Sequence, residues 1–136
     1  MQIDPKLATI FFAYQEFSGL VDLGEYGLTK NQHRILFIVS ALDDINIKKI
    51  LILLGISKQA ANVAIRDLQD RGLVDEQQSE VDKRIKYLHL TKAGQKLNQE
   101  VGQDQEATLN QYFAAADGDW QGAMEKLAQK YLSQLE

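Results

Sequence analysis

Near the start of the chain, apolar residues recur at alternating intervals of four and three, the spacing that places them along one side of a helix. Asp4 and Pro5 supply an acidic cap and a first-turn proline, so we predict that the helix begins there. The apolar seam comprises Ile3, Leu7, Ile10, Tyr14, Phe17 and Val21, and it is widened by Ala8, Phe11, Phe12 and Leu20. Because one small domain buries this much apolar surface only with difficulty, we expect part of the helix to face a second subunit. A core helix within one subunit is the alternative.

Polar capping residues divide the next part of the chain into two short helices. A capping box from Thr29 to Gln32 precedes a helix predicted from His33 to Leu42, although the apolar run Ile35–Val39 alone would also suit a buried strand. Asn46 then caps a helix predicted from Ile47 to Leu54. A short turn leads from this helix into the next one, so the pattern predicts a helix-turn-helix unit.

The second helix of that unit combines a narrow buried stripe with a polar exposed face. Ser57 is a suitable N-cap, and Gly72 ends the helix at a position that commonly requires a positive φ. We predict that the buried stripe is Val63, Ala64, Ile65 and Leu68, and that the other faces carry Gln59, Asn62, Arg66 and Gln69. The side chains of Asn and Gln can form two hydrogen bonds with adenine, and Arg can form them with guanine or phosphate. The helix is therefore expected to contact base edges in DNA.

Two short strand patterns with a basic tip follow this helix. Leu73 and Val74 open the first strand, and Ile85–Leu90 forms its return partner. The ten residues Asp75–Arg84 between them are predicted to be a loop, because they are too many for a tight turn. Asp82, Lys83 and Arg84 lie near the turn, and Lys86 lies just inside the returning strand. A solvated charged loop is one interpretation, but the place beside a polar-faced helix favours phosphate contacts next to base contacts.

Two more helices are predicted at the C-terminal end. Thr91 caps a long helix that Asp117–Asp119 interrupts, and its apolar positions are Leu97, Val101, Leu109, Tyr112 and Phe113. The last helix again spaces its apolar residues four and three apart, at Trp120, Met124, Leu127, Tyr131 and Leu135. Since the first and last helices carry matching seams, a two-fold helical dimer is the simplest way to bury both.

Composition narrows the classes of function. The chain has 136 residues and a net charge of −4. It contains no cysteine, and this absence excludes disulfides, thiol catalysis and thiolate metal sites. From Asp43 to Lys96, ten Lys or Arg accompany eight Asp or Glu, so this middle part carries +2 and the remainder −6. An acidic body with a mildly basic middle is consistent with a focused DNA-binding face. No apolar run is long enough to span a membrane and the start lacks a basic segment, so we expect a cytoplasmic protein with no membrane contact.

The sequence offers no catalytic or metal-binding constellation. His33 and His89 are the only histidines, and neither has an acidic or histidine partner three or four residues away. There is no glycine-rich phosphate loop after a strand and no nucleophile elbow. We therefore expect no enzyme activity, no cofactor and no metal site.

Four segments, in this order along the chain, resemble the MarR family of bacterial transcription regulators. They are Leu28-Thr29 with Gln32 and Leu36, then Gly55–Ala60, then Leu68–Val74, and finally Asp82–Arg84 followed by Leu88–Gly94. The resemblance covers about residues 28 to 97. It implies a homodimeric winged-helix repressor or activator that binds a pseudo-palindromic operator in double-stranded DNA and is often released by a small, frequently phenolic, ligand.

The chain departs from that family pattern in the second helix of its helix-turn-helix unit. Many members have Ser or Thr where this chain has Ala60, and Arg where it has Val63, so two of the family's DNA contacts are missing. The rival interpretation is a winged-helix protein-interaction module that no longer binds DNA and uses its apolar helices to hold a partner protein. The salt dependence of binding distinguishes the two interpretations. The affinity for specific DNA falls steeply as the salt concentration rises, whereas the affinity of an apolar protein contact scarcely changes.

The expected structure is mainly α (α+β), a winged helix-turn-helix with long N- and C-terminal helices in a single domain of residues 1–136. Residues 1–27 and 95–136 are assigned to dimerisation and residues 28–94 to DNA binding. The predicted DNA-binding residues are Ser57, Lys58, Gln59, Asn62, Arg66, Asp82, Lys83, Arg84 and Lys86. A pocket for a small aromatic effector is predicted at Phe11, Phe12, Tyr14 and Tyr26, although aromatic stripes more often form core.

Overall fold

The computed structural model describes residues 2–115, 119–121, 124 and 132–136. Its helices are α1 (Pro5–Ser18), α2 (Lys30–Ala41), α3 (Ile47–Leu54), α4 (Lys58–Asp70) and α5 (Lys92–Ala115), with 3-10 helices at Leu23–Tyr26 and Ser133–Leu135. Strands β1 (Val74–Gln78) and β2 (Lys86–Leu90) pair antiparallel as a two-stranded sheet. This mainly helical fold with a small sheet is the predicted winged helix-turn-helix.

Capping side chains set the starts of the helices α1 to α5. In each case a side-chain oxygen accepts a hydrogen bond from a backbone N–H two or three residues later, which satisfies a donor that the helix leaves free. The capping residues are Asp4, Thr29, Asn46, Ser57 and Thr91. α2 begins at Lys30 rather than at the predicted His33, because the capping box itself occupies the first turn.

The core lies among α2, α3, α4, β2 and the first half of α5. Its largest fully buried side chains are Ile35, Leu36, Ile45, Ile50, Leu68 and Val101. The carbonyl oxygen of Ile45 accepts a hydrogen bond from the backbone N–H of Leu88 at 2.8 Å, so the segment before α3 lies alongside β2. This contact joins the base of the hairpin to the helix-turn-helix unit.

α5 starts in unusually close contact with the segment that enters the sheet. A Cβ atom added to Gly94 would lie 2.0 Å from the carbonyl oxygen of Leu73, which is far inside van der Waals contact. The hydroxyl of Thr91 also donates to the carbonyl oxygen of Gly72 at 2.6 Å. Only glycine at position 94 therefore permits α5 to leave the hairpin in this direction.

α4 is rotated relative to the sequence prediction. Its buried side chains are Ala61, Ala64, Ile65 and Leu68, whereas Val63 is 65% exposed, so the prediction that Val63 is buried is wrong. Position 61 lies one helical turn before both Ala64 and Ile65, and its small side chain lets α4 pack closely on the core. The amide of Gln32 donates to the carboxylate of Asp67, which holds this rotation against α2.

The hairpin is longer than its sequence pattern indicated. β1 continues to Gln78, so the predicted loop from Asp75 to Arg84 is wrong, and the connection comprises only residues 79–85. After Val74, every residue of β1 is exposed. Because the strand projects from the body and pairs with β2 alone, no alternation of apolar and polar residues marks it.

The terminal parts of the chain differ in how far they pack on the core. α1 has no buried residue. Leu132 and Leu135, at the C-terminal 3-10 helix, are half-buried against the core, and that helix contacts the apolar α3. The predicted last helix falls largely outside the described residues, including its Leu127 and Tyr131. No helix among the described residues is long and apolar enough to cross a membrane.

Candidate nucleic-acid interface

A groove of about 420 Å³ separates α4 from the wing, which is the hairpin of β1, β2 and residues 79–85. Four of the predicted DNA-binding side chains line this groove: Lys58 and Asn62 from α4, and Arg84 and Lys86 from the wing. Its apolar floor includes Ile47, Ile65, Ile85 and Leu88, and Glu76 is also at its edge. The groove thus combines several cations with an amide that is able to pair with a base.

The exposed face of α4 carries the other predicted helix residues. Gln59 and Arg66 are exposed on the side opposite the buried stripe, and Val63 lies between them. Ser57 is exposed as well, and its oxygen accepts from the backbone N–H of Ala60 at 3.0 Å. Because a hydroxyl is both donor and acceptor, the cap leaves the O–H of Ser57 available to a phosphate.

The tip of the wing is held by a bidentate ion pair. Nε and Nη2 of Arg84 donate to Oδ1 and Oδ2 of Asp82 at 3.1 and 3.0 Å, and the backbone N–H of Arg84 donates to Oδ1 at 3.0 Å. These hydrogen bonds from Arg84 hold the pKa of Asp82 below its usual value, and the carboxylate raises the pKa of Arg84. The guanidinium of Arg84 is therefore oriented while its side chain remains exposed to solvent.

Further hydrogen bonds order the same turn. The hydroxyl oxygen of Ser79 accepts from the backbone N–H groups of Val81 and Asp82, each at 3.2 Å, and the N–H of Ile85 donates to the carbonyl of Asp82 at 3.0 Å. Lys83 lies exposed at the tip. Hydrogen bonds within the turn order its backbone, which lowers the entropy lost when the wing meets a ligand.

Long side chains tie the C-terminal end of α4 to the segment before α2. Nη1 and Nη2 of Arg71 donate to the carbonyl oxygens of Gly27 and Tyr26 at 2.8 and 3.3 Å. Gly27 adopts a left-handed φ of 66°, which orients its carbonyl toward this guanidinium. Together with the contact between Gln32 and Asp67, these bonds fix α4 on the body of the protein.

Sequence reasoning missed one cation of the groove, Lys48 in the first turn of α3. Lys48 and Lys49 are the only charged residues of an otherwise apolar helix, and this isolated pair was the available indication. The Nζ of Lys49 donates to the carbonyl oxygen of Asp44 at 2.9 Å, so Lys49 is anchored to the preceding turn. Lys48 instead faces the groove, across from the wing.

The four aromatic residues predicted to bind an effector lie on two different elements, α1 and the 3-10 helix that follows it. Phe11, Phe12 and Tyr14 are exposed on α1, where the rings of Phe11 and Phe12 meet edge to face with centroids 5.5 Å apart, and Tyr26 is half-buried against the core. None of them lines the groove or the second cavity, of about 340 Å³, between α2, β2 and α5. The effector pocket therefore stays a prediction.

This chain is similar to known transcription regulators in sequence. A MarR family model matches residues 26–85, which run from the end of the first 3-10 helix to the wing. The chain is 29% identical over 119 residues to the HTH-type transcriptional regulator PetP of Rhodobacter capsulatus, covering 85% of this chain and 70% of PetP.

Two solved structures share the fold at 19% sequence identity. CouR from Rhodococcus jostii, bound to p-coumaroyl-CoA, has a TM-score of 0.72 over 98% of this chain and 94% of CouR. A mutant of MepR from S. aureus, bound to an oligodeoxyribonucleotide, has a TM-score of 0.60 over 99% of this chain and all of that chain. This chain thus shares its fold with CouR and with MepR.

Proposed function

We propose that this chain, which a MarR family model matches over residues 26–85, is a transcriptional regulator that binds double-stranded DNA through α4 and the wing. The observation that carries the proposal is the groove in which Lys58 and Asn62 of α4 face Arg84 and Lys86 of the wing. Cations that neutralise phosphates next to amides that pair with bases are the combination that sequence-specific binding requires.

Residues 28–94 are proposed to form the DNA-binding part, and residues 1–27 and 95–136 to join two copies of the chain. The exposed apolar surface of α1 supports this division, since none of its residues is buried within one subunit. A two-fold dimer presents two copies of α4, so the operator is expected to be a pseudo-palindrome. Ser57, Lys58, Gln59, Asn62 and Arg66 are assigned to the major groove, and Lys83, Arg84 and Lys86, with Asp82 orienting Arg84, to phosphates or the minor groove.

Repression with release by a small aromatic ligand is part of the same proposal, as is the absence of enzymatic activity. CouR, which shares the fold, was solved with p-coumaroyl-CoA bound. Thermal-shift screening of the protein against aromatic acids is the measurement. A concentration-dependent rise in melting temperature, reduced by Tyr26→Ala, would support an effector site near α1. A flat response across a broad panel would count against it.

The rival interpretation, a protein-interaction module that no longer binds DNA, is not favoured. Its support comes from Ala60, Val63 and Leu53 in the helix-turn-helix unit and from the acidic body of the chain. The basic groove supplies DNA-binding chemistry without them, and the curated relative PetP is an HTH-type regulator.

Fluorescence anisotropy of labelled DNA from beside the protein's own gene, at two salt concentrations and against scrambled competitor, tests the function. We expect saturable binding that weakens steeply with salt and collapses in Arg84→Ala. The residual binding of this variant should depend on salt by about one ion less, because one phosphate contact is lost. Lys96→Ala, which removes an exposed cation of α5 away from the groove, is the matched control and should bind normally. Equal affinity for scrambled DNA at every salt, in this fragment and after selection from random sequences, would refute the proposal.

The same assay separates the roles within the groove. Lys86→Ala should weaken binding evenly across sequences, whereas Asn62→Ala should relax the preference at one base pair by about 1–3 kcal/mol. If both variants lose affinity uniformly, the assignment of Asn62 to a base edge is wrong.

A further inference from the structure

Val63 is an apolar side chain in the middle of a polar helix face, and no packing among the described residues of its own subunit accounts for it. It is 65% exposed, and Gln59 and Arg66 lie one helical turn before it and about one turn after it. A valine at an exposed helix position has a lower helix propensity than Arg, Lys, Gln or Glu. Val63 therefore adds no packing to the core, and other residues at this position would stabilise the helix at least as well.

Its position on α4 places it where DNA is expected to lie. Asn62, the adjacent residue, lines the groove toward the wing, while the buried stripe of α4 is on the opposite side of the helix. If α4 enters the major groove, the line from Gln59 through Val63 to Arg66 faces the base edges. This step rests on the proposed function.

The chemistry of the major groove leaves one good partner for such a side chain. Adenine, guanine and cytosine present hydrogen-bond donors and acceptors there, and a valine would desolvate them without pairing. Thymine alone presents a methyl group, at C5, which an apolar side chain contacts favourably. We propose that Val63 packs against the C5 methyl group of a thymine in each half-site and thereby determines specificity at that base pair.

Replacing single thymines by uracil tests the proposal, because uracil lacks only the C5 methyl group. The operator is first selected from random sequences with the wild-type protein, and each thymine is then changed to uracil in turn. We expect one thymine per half-site at which the change weakens binding about fourfold, the factor that corresponds to losing one buried methyl-sized group. 5-Methylcytosine at that position should bind better than cytosine.

Variants of the protein connect the effect to this side chain. Val63→Asn should bind thymine and uracil at that position with nearly equal affinity, and circular dichroism should show an intact helix because the position is exposed. Val81→Asn is the matched control: it changes another exposed valine, at the tip of the wing, and should keep the fourfold ratio. A ratio that survives in Val63→Asn, or a wild-type protein indifferent to every uracil, overturns the proposal while DNA binding stands. A protein that selects no DNA sequence at all refutes the proposed function and this inference together.

Discussion

The carboxylate of Asp82 is a single group on which the order of the wing depends. Its pKa lies below the ordinary value of 3.8, first because the side chain of Arg84 donates to it and then because the backbone N–H of Arg84 does. A lowered pKa in the folded state means that the ion pair stabilises the turn above about pH 4 and is lost as the pH falls through the pKa of the folded form. We expect the wing to keep its arrangement from neutral pH to about pH 5 and to loosen only in stronger acid, as followed by NMR of the Asp82 carboxyl carbon.

Two charge-removing variants of the wing provide the comparison for that titration. Arg84→Gln should raise the pKa of Asp82 toward its ordinary value, because it removes the largest cause of the shift and leaves only the backbone hydrogen bond. Lys83→Gln removes a neighbouring charge that has no hydrogen bond to Asp82, and should leave most of the shift in place. An Asp82 that titrates normally in the wild-type protein would mean that the ion pair does not persist in solution.

Two glycines of α5 allow the close contact at its start to be measured. In Gly94→Ala the new Cβ would lie 2.0 Å from the carbonyl oxygen of Leu73, so helix and hairpin have to separate. We expect a loss of about 1–3 kcal/mol in the free energy of unfolding, as for an overpacked core. Gly102→Ala meets no atom within 4 Å and should stabilise the helix by up to about 1 kcal/mol. Urea denaturation of both variants checks the pair, and equal effects would contradict the contact.

At the scale of the element, the cap of α4 is proposed to serve both the helix and the DNA. Ser57→Ala should cost about 1 kcal/mol of stability, because the bond to the N–H of Ala60 is lost. Ser57→Asp keeps a capping oxygen and adds a favourable charge at the helix N-terminus, yet it should weaken DNA binding at least about tenfold by repelling phosphate.

Ser57→Asn is the neutral control for that pair of measurements, since it caps as well as Ser or Asp without adding charge. Thermal denaturation and DNA anisotropy on the same three variants separate the two roles. If Ser57→Asp binds DNA as tightly as Ser57→Asn, the start of α4 does not lie near a phosphate.

The elements themselves were predictable to the extent that local chemistry fixes them. Caps such as Thr29 and Asn46 identify helix starts from sequence because they act within three residues. The exposed part of β1 was missed because its pairing with β2 is non-local and gives no periodicity. The rotation of α4, and with it the exposure of Val63, was also missed, because it depends on how Ala61 packs and on the distant contact between Gln32 and Asp67.

The candidate site shows the same limit at the scale of the whole molecule. Sequence reasoning selected Lys58 and Asn62 on one element and Arg84 and Lys86 on another, and the fold brings these four to a single groove. It did not select Lys48, because nothing local relates the first turn of α3 to the wing; only the tertiary fold places them on the same groove.

At the scale of the whole molecule, the exposed apolar surface of α1 leads us to expect a dimer. α1 exposes Leu7, Phe11, Phe12 and Tyr14, each more than half accessible, and contributes no residue to the core. Tyr14→Glu should leave the subunit folded, since the position is exposed within it, and should prevent dimerisation, because an unpaired charge would be buried at the interface. Thr9→Glu places the same charge on the polar side of α1 and should remain dimeric. Light scattering at micromolar concentration distinguishes monomer from dimer.

The oligomeric state should in turn govern DNA binding. When two copies of α4 are joined, binding of the second half-site becomes intramolecular, and the gain in affinity is about 10² to 10⁴. A monomeric Tyr14→Glu protein should therefore lose affinity for the full operator by that factor and bind a single half-site as the wild type does, because its groove is unchanged. If Tyr14→Glu and Thr9→Glu have the same mass in solution, α1 does not form the interface. If monomeric Tyr14→Glu binds the full operator with undiminished affinity, each subunit recognises DNA alone and the two-fold operator is not required.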